Sequence, residues 1–351
     1  MKKIIAWVLS ILFCTHVYAS QIQQIVFLGD SLTDNGNLYA ALKIIPKSPP
    51  YFNGRFSNGP TWAEDLSKFY YDKLYIDAEN YAVGGATAIV HDPLDDSFVS
   101  PVTLTDQLYD YLGQSLFNDK STVLYSIWIG ANDYLYENST DIDSLTTNVV
   151  ASISWSINKL IDNGAKYFLI MNLPDLSRTP YAQQNHVENK LHAVSVLHNQ
   201  KLADTLKQIQ NAHPDIKFVS IDIYSIFNDV LLNTNKYNQL YHQHINNITD
   251  ACWQGDFTKK RNDITELNKA LTNAQTKNKL TLAKNFTTAN ASRLILNTPS
   301  LAEAYATNKL YEQGVMPCPD ANSHIFWDHI HPTEAVHEVL AQIIEQELGP
   351  L

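Results

Sequence analysis

The stretch QIVFLGDSL, residues 24–32, decides the fold. Residues 25–28 are continuously apolar and are followed by Gly29, which is typical of a short buried strand. In an open parallel α/β sheet, reactive groups collect at the edge where such strands end. We therefore expect Ser31 to lie at that edge, although a serine after a strand also has a simpler interpretation as the cap of the next helix.

Strands and helices alternate along the chain beyond this stretch. Further strands are predicted over residues 122–129, 166–171 and 217–221, and apolar spacings predict helices over 104–116, 142–161 and 187–209. This alternation indicates a parallel sheet covered by helices on both faces, so we predict an α/β fold with three α/β/α layers. A last helix carries Val336 to Leu348 behind Pro332, a residue that suits a first helical turn.

Composition limits the class of protein. The 351 residues are 45% apolar and 17% charged, close to a globular average, so the chain can bury a core. The 36 acidic and 25 basic side chains give a net charge of −11, whereas nucleic-acid binders usually carry a basic face. We therefore exclude nucleic acid as a partner.

The first nineteen residues have the three parts of a secretory signal peptide. Lys2 and Lys3 precede an apolar run over residues 4–13, and Val17-Tyr18-Ala19 offers a small-residue cleavage site. The run is too short to span a bilayer. Residues 20–351 are thus predicted to be exported, and loss of two lysines without an acidic residue changes the net charge from −11 to −13.

Export leaves Cys252 and Cys318, and two cysteines in an exported chain more often form a disulfide than remain free. The segment between them, residues 253–317, carries nine lysines and arginines against five acidic residues, a local charge of +4. Its helical pattern is weak. We therefore predict a disulfide-bounded insertion at 253–317 that lies on the domain and does not form a second core.

Three further motifs point to one chemistry. NYAVGGAT at 80–87 is predicted to run as a strand into a double glycine, and GAND at 130–133 follows another strand. DHIH at 328–331 supplies a carboxylate and an imidazole three residues apart. A serine nucleophile, a base, an orienting carboxylate and oxyanion donors are the parts required for acyl transfer.

These blocks resemble the SGNH or GDSL hydrolases. GDSLTDNGN at 29–37 and the three motifs above follow the order of that family across the predicted mature chain. The resemblance implies a single hydrolase domain over residues 20–351 with a central, mostly parallel, flavodoxin-like sheet. It also implies Ser31 as nucleophile, His331 as general base and acid, and Asp328 as the carboxylate that holds the imidazole.

The same resemblance implies the oxyanion donors. These are the Ser31 N–H, the Asn132 side chain and one glycine N–H, which falls on Gly85 with Gly84 as the alternative. Asp30 and Asp34 are expected to organise the turn around Ser31 by hydrogen bonds.

Two further sequence motifs indicate which branch of the family the chain resembles. FNGRFSNGPTW at 52–62 and FWDHIHPT at 326–333 look like the secreted bacterial phospholipases A, lysophospholipases and glycerophospholipid:cholesterol acyltransferases. The implied function is hydrolysis of phospholipid or lysophospholipid acyl esters through an acyl-enzyme, with cholesterol as an acceptor, outside a Gram-negative-type bacterium. An esterase for acetylated carbohydrate or other short acyl groups, and a secreted binding protein without turnover, remain alternatives.

No cofactor and no metal are expected. His324, His329, His331 and His337 are close in sequence, but the triad already accounts for His331, and His329 and His337 are expected to face solvent or cap helices. The basic triplet Lys259-Lys260-Arg261 in the insertion suggests a cleavage site for an activating protease. The local positive charge suggests transient contact with a membrane surface. Simple stapling of a surface insertion is the alternative role.

Overall fold

The computed structural model describes residues 21–90, 102–136, 140–253, 263–278 and 288–349. The predicted signal peptide 1–19 and the basic triplet 259–261 lie outside the described residues.

Five parallel strands form the central sheet, in the order β2-β1-β3-β4-β5. This is the flavodoxin-like order of doubly wound folds, and the predicted mostly parallel sheet is confirmed. The last two strands pair with each other in a separate parallel sheet. The strands are β1 (Gln24–Gly29), β2 (Asp77–Asn80), β3 (Val123–Trp128), β4 (Tyr167–Met171), β5 (Lys217–Ile221), β6 (Asn247–Ala251) and β7 (His324–Phe326).

Helices connect these strands. Among the described residues they are α1 (Asn37–Leu42), α2 (Trp62–Leu74), α3 (Leu104–Gln114), α4 (Ala131–Tyr136), α5 (Ile142–Asp162), α6 (Pro180–Asn185), α7 (Glu188–Ala212), α8 (Ile223–Leu232), α9 (Thr234–Tyr241), α10 (Asp263–Asn278), α11 (Thr288–Asn297), α12 (Pro299–Glu312) and α13 (Glu334–Leu348). Within these ranges every helix falls short of the length or the apolar character that a membrane span requires.

The two faces of the sheet bury separate apolar clusters because side chains alternate along each strand. Val26 and Leu28 of β1 pack with α3, α5 and α7 on one face. Ile25 and Phe27 pack with α2 and α13 on the other. The result is three layers, helices on sheet on helices, as the alternating sequence pattern predicts.

Two predicted boundaries are wrong. The strand expected to reach the double glycine ends at Asn80, where the Asn80 side chain donates to the Thr33 carbonyl and accepts the Ala82 N–H. The chain still follows β1 beyond that point, since the Tyr81 and Val83 N–H groups donate to the Phe27 and Gly29 carbonyls. Helix α13 begins at Glu334 with Thr333 as its N-cap, so Pro332 precedes the helix and is not in its first turn.

The predicted insertion carries α10, α11 and α12. Its two ends are joined by a disulfide between Cys252 and Cys318. Apolar side chains of the three helices share one buried cluster with Tyr51, Phe56 and Trp327 of the rest of the chain. Its packing is therefore continuous with the segment around residues 38–56, and its status as a distinct insertion stays a prediction.

Candidate active site

The site lies where the strand order of the central sheet reverses. From β1 the chain goes to β2 on one side and later returns to β3 on the other. The carboxyl ends of β1 and β3 therefore border a crevice, the place where open α/β sheets bind ligands. Ser31 follows β1, and Asn132 follows β3 at the start of α4.

The structure brings Ser31, His331 and Asp328 together. The His331 Nε2 atom lies 2.9 Å from the Ser31 Oγ atom, across 300 residues of chain. The His331 Nδ1 atom lies 3.0 Å from Asp328 Oδ1 and 2.9 Å from Oδ2. All three residues are buried. This is the serine, imidazole and carboxylate arrangement that activates a hydroxyl nucleophile.

Asp328 is held by several donors besides His331 Nδ1. The backbone N–H groups of Ile330 and His331 donate to Oδ1, and the Tyr51 hydroxyl donates to Oδ2 at 2.7 Å. Burial raises the pKa of Asp328, but the nearby His331 and these hydrogen bonds outweigh burial, so its pKa lies below the usual range. Burial and the Asp328 charge raise the pKa of Tyr51, which keeps its hydroxyl proton available.

The turn that carries Ser31 is built on two buried carboxylates, as expected. Asp30 accepts the Leu32 N–H, and burial raises its pKa to about 7. Asp34 accepts four backbone N–H groups, those of Gly36, Asn37, Leu38 and Gly84. Burial outweighs these bonds and raises its pKa to about 6.

The two adjacent glycines differ in what their N–H groups do. The Gly84 N–H donates to Asp34 Oδ2 at 2.7 Å, so it is already used. Gly85 has a φ of +78°, a backbone conformation that favours glycine, and its N–H meets no acceptor within the described part of the chain. These hydrogen bonds favour Gly85 over Gly84 as a donor to a ligand. The Asn132 amide donates one N–H to the Ala86 carbonyl at 3.0 Å.

Residues 25–344 match the family of GDSL-like lipases and acylhydrolases. The chain belongs to this family. The resemblance read from the four sequence blocks is thereby confirmed. Membership supports a carboxylic ester hydrolase as the general activity of this GDSL protein.

The chain is also similar to individual proteins with known names and to solved structures. The chain is 30% identical over 328 residues to a phosphatidylcholine-sterol acyltransferase of Aeromonas hydrophila, covering 91% of this chain and 88% of that protein. It is 28% identical to the secreted effector protein SseJ of Salmonella typhimurium, covering 62% and 50% of the two chains. Among solved structures, an acetylxylan esterase from Geobacillus stearothermophilus superposes with a TM-score of 0.38 and 15% identity, covering 60% of this chain and 80% of that one.

One residue of this GDSL protein that sequence reasoning missed holds the end of β1. The Gln107 side chain donates to the Gly29 carbonyl and accepts the Gly29 N–H, both at 2.8 Å. Gln107 is buried on α3 between Leu104 and Leu108. A polar side chain within that apolar stripe was the available signal, because a buried amide requires specific partners.

The segment 52–62, quoted above only as a further sequence motif, braces the loop that carries His331. The Phe56 ring lies 4.9 Å from the His331 ring, centre to centre. The Ser57 hydroxyl donates to the Pro332 carbonyl at 2.9 Å, and Asn58 Oδ1 accepts the Glu334 N–H at 2.8 Å. This segment therefore fixes both the imidazole and the start of α13.

Two histidines are more buried than solvent-facing side chains would be. The side chain of His329 is only 12% exposed, and its Nδ1 atom lies 2.5 Å from the Glu303 carboxylate. His337 is buried and accepts the Trp62 N–H, so it caps α2 but does not face solvent. Burial lowers the pKa of His337 to about 3. Solvent exposure, one of the two expected alternatives, is wrong for both residues because they pack against elements distant in sequence, whereas helix capping, the other alternative, fits His337.

One group of possible metal ligands occurs in the described ranges. Cys318, Asp320 and His324 place ligand atoms within 4.8 Å of one another. The Cys318 sulfur is bonded to Cys252, so it is not available as a thiolate while the disulfide is intact. The group does not include any member of the Ser31 site.

Proposed function

We propose that this GDSL protein is a secreted serine ester hydrolase for acyl esters of glycerophospholipids and lysophospholipids. In the proposed reaction the acyl group passes first to Ser31 and then to water, or to cholesterol or another alcohol. The proposed catalytic groups are Ser31, His331 and Asp328. The proposed oxyanion donors are the N–H groups of Ser31 and Gly85 and the Asn132 side chain.

The observation that carries this proposal is an apolar cavity that starts at the nucleophile. Ser31, Asn132 and His331 line one part of it. Beyond them its walls are mostly aliphatic and aromatic side chains of α8, α9, α13 and β7, among them Ile223, Ile226, Phe227, Val230, Tyr237, Phe326, Val339 and Ile343. An acyl chain attached to Ser31 would lie along these side chains.

The chemistry follows from the hydrogen bonds at Ser31. His331 Nε2 removes the Ser31 proton as Oγ attacks the ester carbonyl carbon, and Asp328 stabilises the imidazolium that forms. The carbonyl oxygen becomes an oxyanion, which the proposed donors stabilise. His331 then protonates the leaving alcohol, and a covalent acyl-enzyme remains. Water or an alcohol, deprotonated by His331, attacks that ester and restores the Ser31 hydroxyl.

The cavity favours a long acyl chain over an acetyl group. Each methylene that leaves water for an apolar site contributes about 0.8 kcal/mol. An acetyl group would leave most of the lining residues without contact, so the carbohydrate esterase alternative uses little of this cavity. A binding protein without turnover has no need for the Ser31, His331 and Asp328 hydrogen bonds.

Two parts of the proposal have further support. The relative from Aeromonas hydrophila is named for acyl transfer from phosphatidylcholine to a sterol, which supports an alcohol acceptor. The predicted signal segment, the Cys252–Cys318 disulfide and a relative named as a secreted effector support export.

A covalent probe tests the nucleophile. A fluorophosphonate should label the wild-type protein and fail to label Ser31→Ala, and the same substitution should abolish lysophosphatidylcholine hydrolysis. Release of fatty acid and formation of steryl ester would then be measured with and without cholesterol. Labelling of Ser31→Ala at the wild-type rate would contradict the assignment of the nucleophile.

A narrowed cavity tests the substrate class. Val339→Phe should lower kcat/KM for palmitoyl nitrophenyl ester by about 10-fold or more and leave the acetyl ester nearly unchanged, because only the long chain reaches that position. Val150→Phe, in α5 on the opposite face of the sheet, is the control for overpacking. Equal losses for both esters in Val339→Phe would contradict an acyl-binding role.

A further inference from the structure

Helix α12 of the predicted insertion reaches the proposed oxyanion site. The Ser300 hydroxyl donates to Asn132 Oδ1 at 2.9 Å, across 168 residues of chain, and both side chains are buried. The next residue, Leu301, lies against Gly85, where a Cβ would be 2.8 Å from the Leu301 Cγ atom. One helix therefore contacts two of the three residues proposed as oxyanion donors.

The bond from Ser300 fixes which way the Asn132 amide points. The Ala86 carbonyl can only accept a hydrogen bond, so the Asn132 nitrogen must face it, and it does so at 3.0 Å. Ser300 supplies a donor to the opposite atom, Oδ1. A flipped amide would place two carbonyl oxygens against each other at Ala86 and lose a good bond at Ser300. With both bonds made, one N–H of the amide remains to donate to a ligand.

We propose that Ser300 is a positioning residue for the reaction, acting through Asn132. This inference rests on the proposed function, because it requires the Asn132 amide to stabilise the oxyanion. If the Asn132 side-chain amide could rotate freely, it would also adopt orientations in which its carbonyl oxygen faces the developing negative charge. The Ser300 hydroxyl removes those orientations before substrate binds, which is the preorganisation that makes such donors effective. The insertion is thus part of the site that performs the reaction.

The expected effect is on turnover and not on substrate binding. Ser300→Ala should lower kcat by about 10-fold with KM nearly unchanged, a smaller loss than the 100-fold to 1000-fold expected when the donor itself is removed. Ser300→Cys retains most of the volume but has a weak donor, so it should lower kcat in the same direction and covers the case of an unstable alanine variant.

Ser292→Ala is the matched control. Ser292, in α11 of the same insertion, is buried and donates to Asn268 Oδ1 at 2.6 Å, so its loss removes the same kind of serine–asparagine bond. Neither residue lines the cavity at Ser31. We expect Ser292→Ala to lower the melting temperature as Ser300→Ala does but to leave kcat unchanged.

A double-mutant cycle tests the coupling to Asn132. In the Asn132→Ala background, Ser300→Ala should cause no further loss of kcat, because the group on which it acts is gone. If Asn132→Ala lowers kcat by 100-fold or more but Ser300→Ala does not change it, the positioning role is wrong and the proposed function stands. If Ser31→Ala retains activity, the proposed function itself fails. Equal kcat losses in Ser300→Ala and Ser292→Ala would reduce Ser300 to a structural role.

Discussion

At the scale of single residues, Tyr51 is the group that most directly supports the proposed catalytic carboxylate. Its hydroxyl donates to Asp328 Oδ2 at 2.7 Å, and its ring packs against Trp327. A hydrogen bond to a charged group is worth about 1.5–3 kcal/mol. Three N–H groups still contact Asp328 without Tyr51, so the carboxylate keeps its position but is less stabilised beside the imidazolium.

We therefore expect Tyr51→Phe to lower kcat by about 10-fold, since about 1.4 kcal/mol in the barrier corresponds to that factor. Ester hydrolysis at saturating substrate measures it. Tyr111→Phe is the control, because it removes a buried hydroxyl that bonds Tyr125 of β3, and neither tyrosine lines the cavity at Ser31. If the activity of Tyr51→Phe were within twofold of wild type, the Tyr51 hydroxyl would not contribute to catalysis and the side chain would serve only in packing.

The residues that could be predicted from sequence are those in short local motifs. Asp328 and His331 are three residues apart, and Ser31 directly follows an apolar strand, so their types and spacing carry the signal. Tyr51, Gln107 and Ser300 could not be predicted in the same way. Each contacts the site through one or two hydrogen bonds to a single residue at least 78 positions away, and a single tyrosine, glutamine or serine has no pattern that marks such a contact.

At the scale of elements, the disulfide connects the predicted insertion, residues 253–317, to the loop of the proposed triad. The Cys318 N–H donates to the Cys252 carbonyl at 3.1 Å, and the Trp253 N–H donates to the Trp327 carbonyl at 2.8 Å, one residue before Asp328. The cross-link therefore restrains the same backbone that presents the carboxylate.

Replacing both cysteines by serine should lower the free energy of unfolding by about 4 kcal/mol. The bridge joins residues 66 positions apart. In the chain-entropy model, a cross-link that closes a loop of this size lowers the conformational entropy of the unfolded chain, which stabilises the folded state by about 4 kcal/mol. Urea denaturation of the oxidised wild type and the double serine variant measures the difference, with reduced wild type as the control. A difference below about 1 kcal/mol would contradict the chain-entropy account for this loop.

The position of α12 also bears on the predicted activating cleavage, which stays a prediction. The basic triplet 259–261 precedes α10, so a cut there would leave α12 joined to the chain through residues up to Cys318. Removal of the whole segment 253–317 would take Ser300 away from Asn132. If Ser300 acts as proposed, activation by a single cut is compatible with the site, and activation by excision is not.

At the scale of the whole molecule, the strands β1, β3, β4 and β5 of the main sheet were predictable from sequence, whereas the exposed strand β2 and the small sheet were not. The strands β1, β3 and β4 are almost wholly buried, so their apolar runs stand out in the sequence. The strands β6 and β7 belong to the same chain but pair over few residues, and β6 has a half-exposed, polar sequence. Its partner β7 is only three residues long. Short pairings of this kind depend on the surrounding packing more than on local pattern.

The buried titratable groups of the molecule act against each other in the dependence of stability on pH. Burial lowers the pKa of His198 and of His337 to about 3, from an ordinary value of 6.5. Below pH 6.5 the unfolded chain therefore binds protons that the folded chain excludes, and stability falls as the pH falls toward 3. Asp30 and Asp34 change stability with pH in the opposite direction. Their folded pKa values of about 7 and about 6 lie above 3.8, so they oppose folding less as the pH falls.

Burial also raises the pKa of Asp65 to about 6 and that of Glu303 above its usual range. We therefore expect the carboxyl groups to outweigh the two histidines, so that the free energy of unfolding of the wild type rises between pH 6.5 and 4.5. His198→Gln removes the effect of one of the two histidines, because glutamine does not titrate. In the described part of the chain the Tyr134 hydroxyl is the hydrogen-bond partner of the His198 ring. The variant should therefore gain stability more steeply than the wild type as the pH falls below 6.5, by up to about 1.4 kcal/mol per pH unit. Urea denaturation at pH 4.5, 5.5 and 6.5 measures the slope. His186→Gln, at an exposed position, should keep the wild-type slope. An unchanged slope in His198→Gln would mean that His198 takes up a proton in the folded protein as readily as in the unfolded chain, which its burial beneath Gly130 argues against.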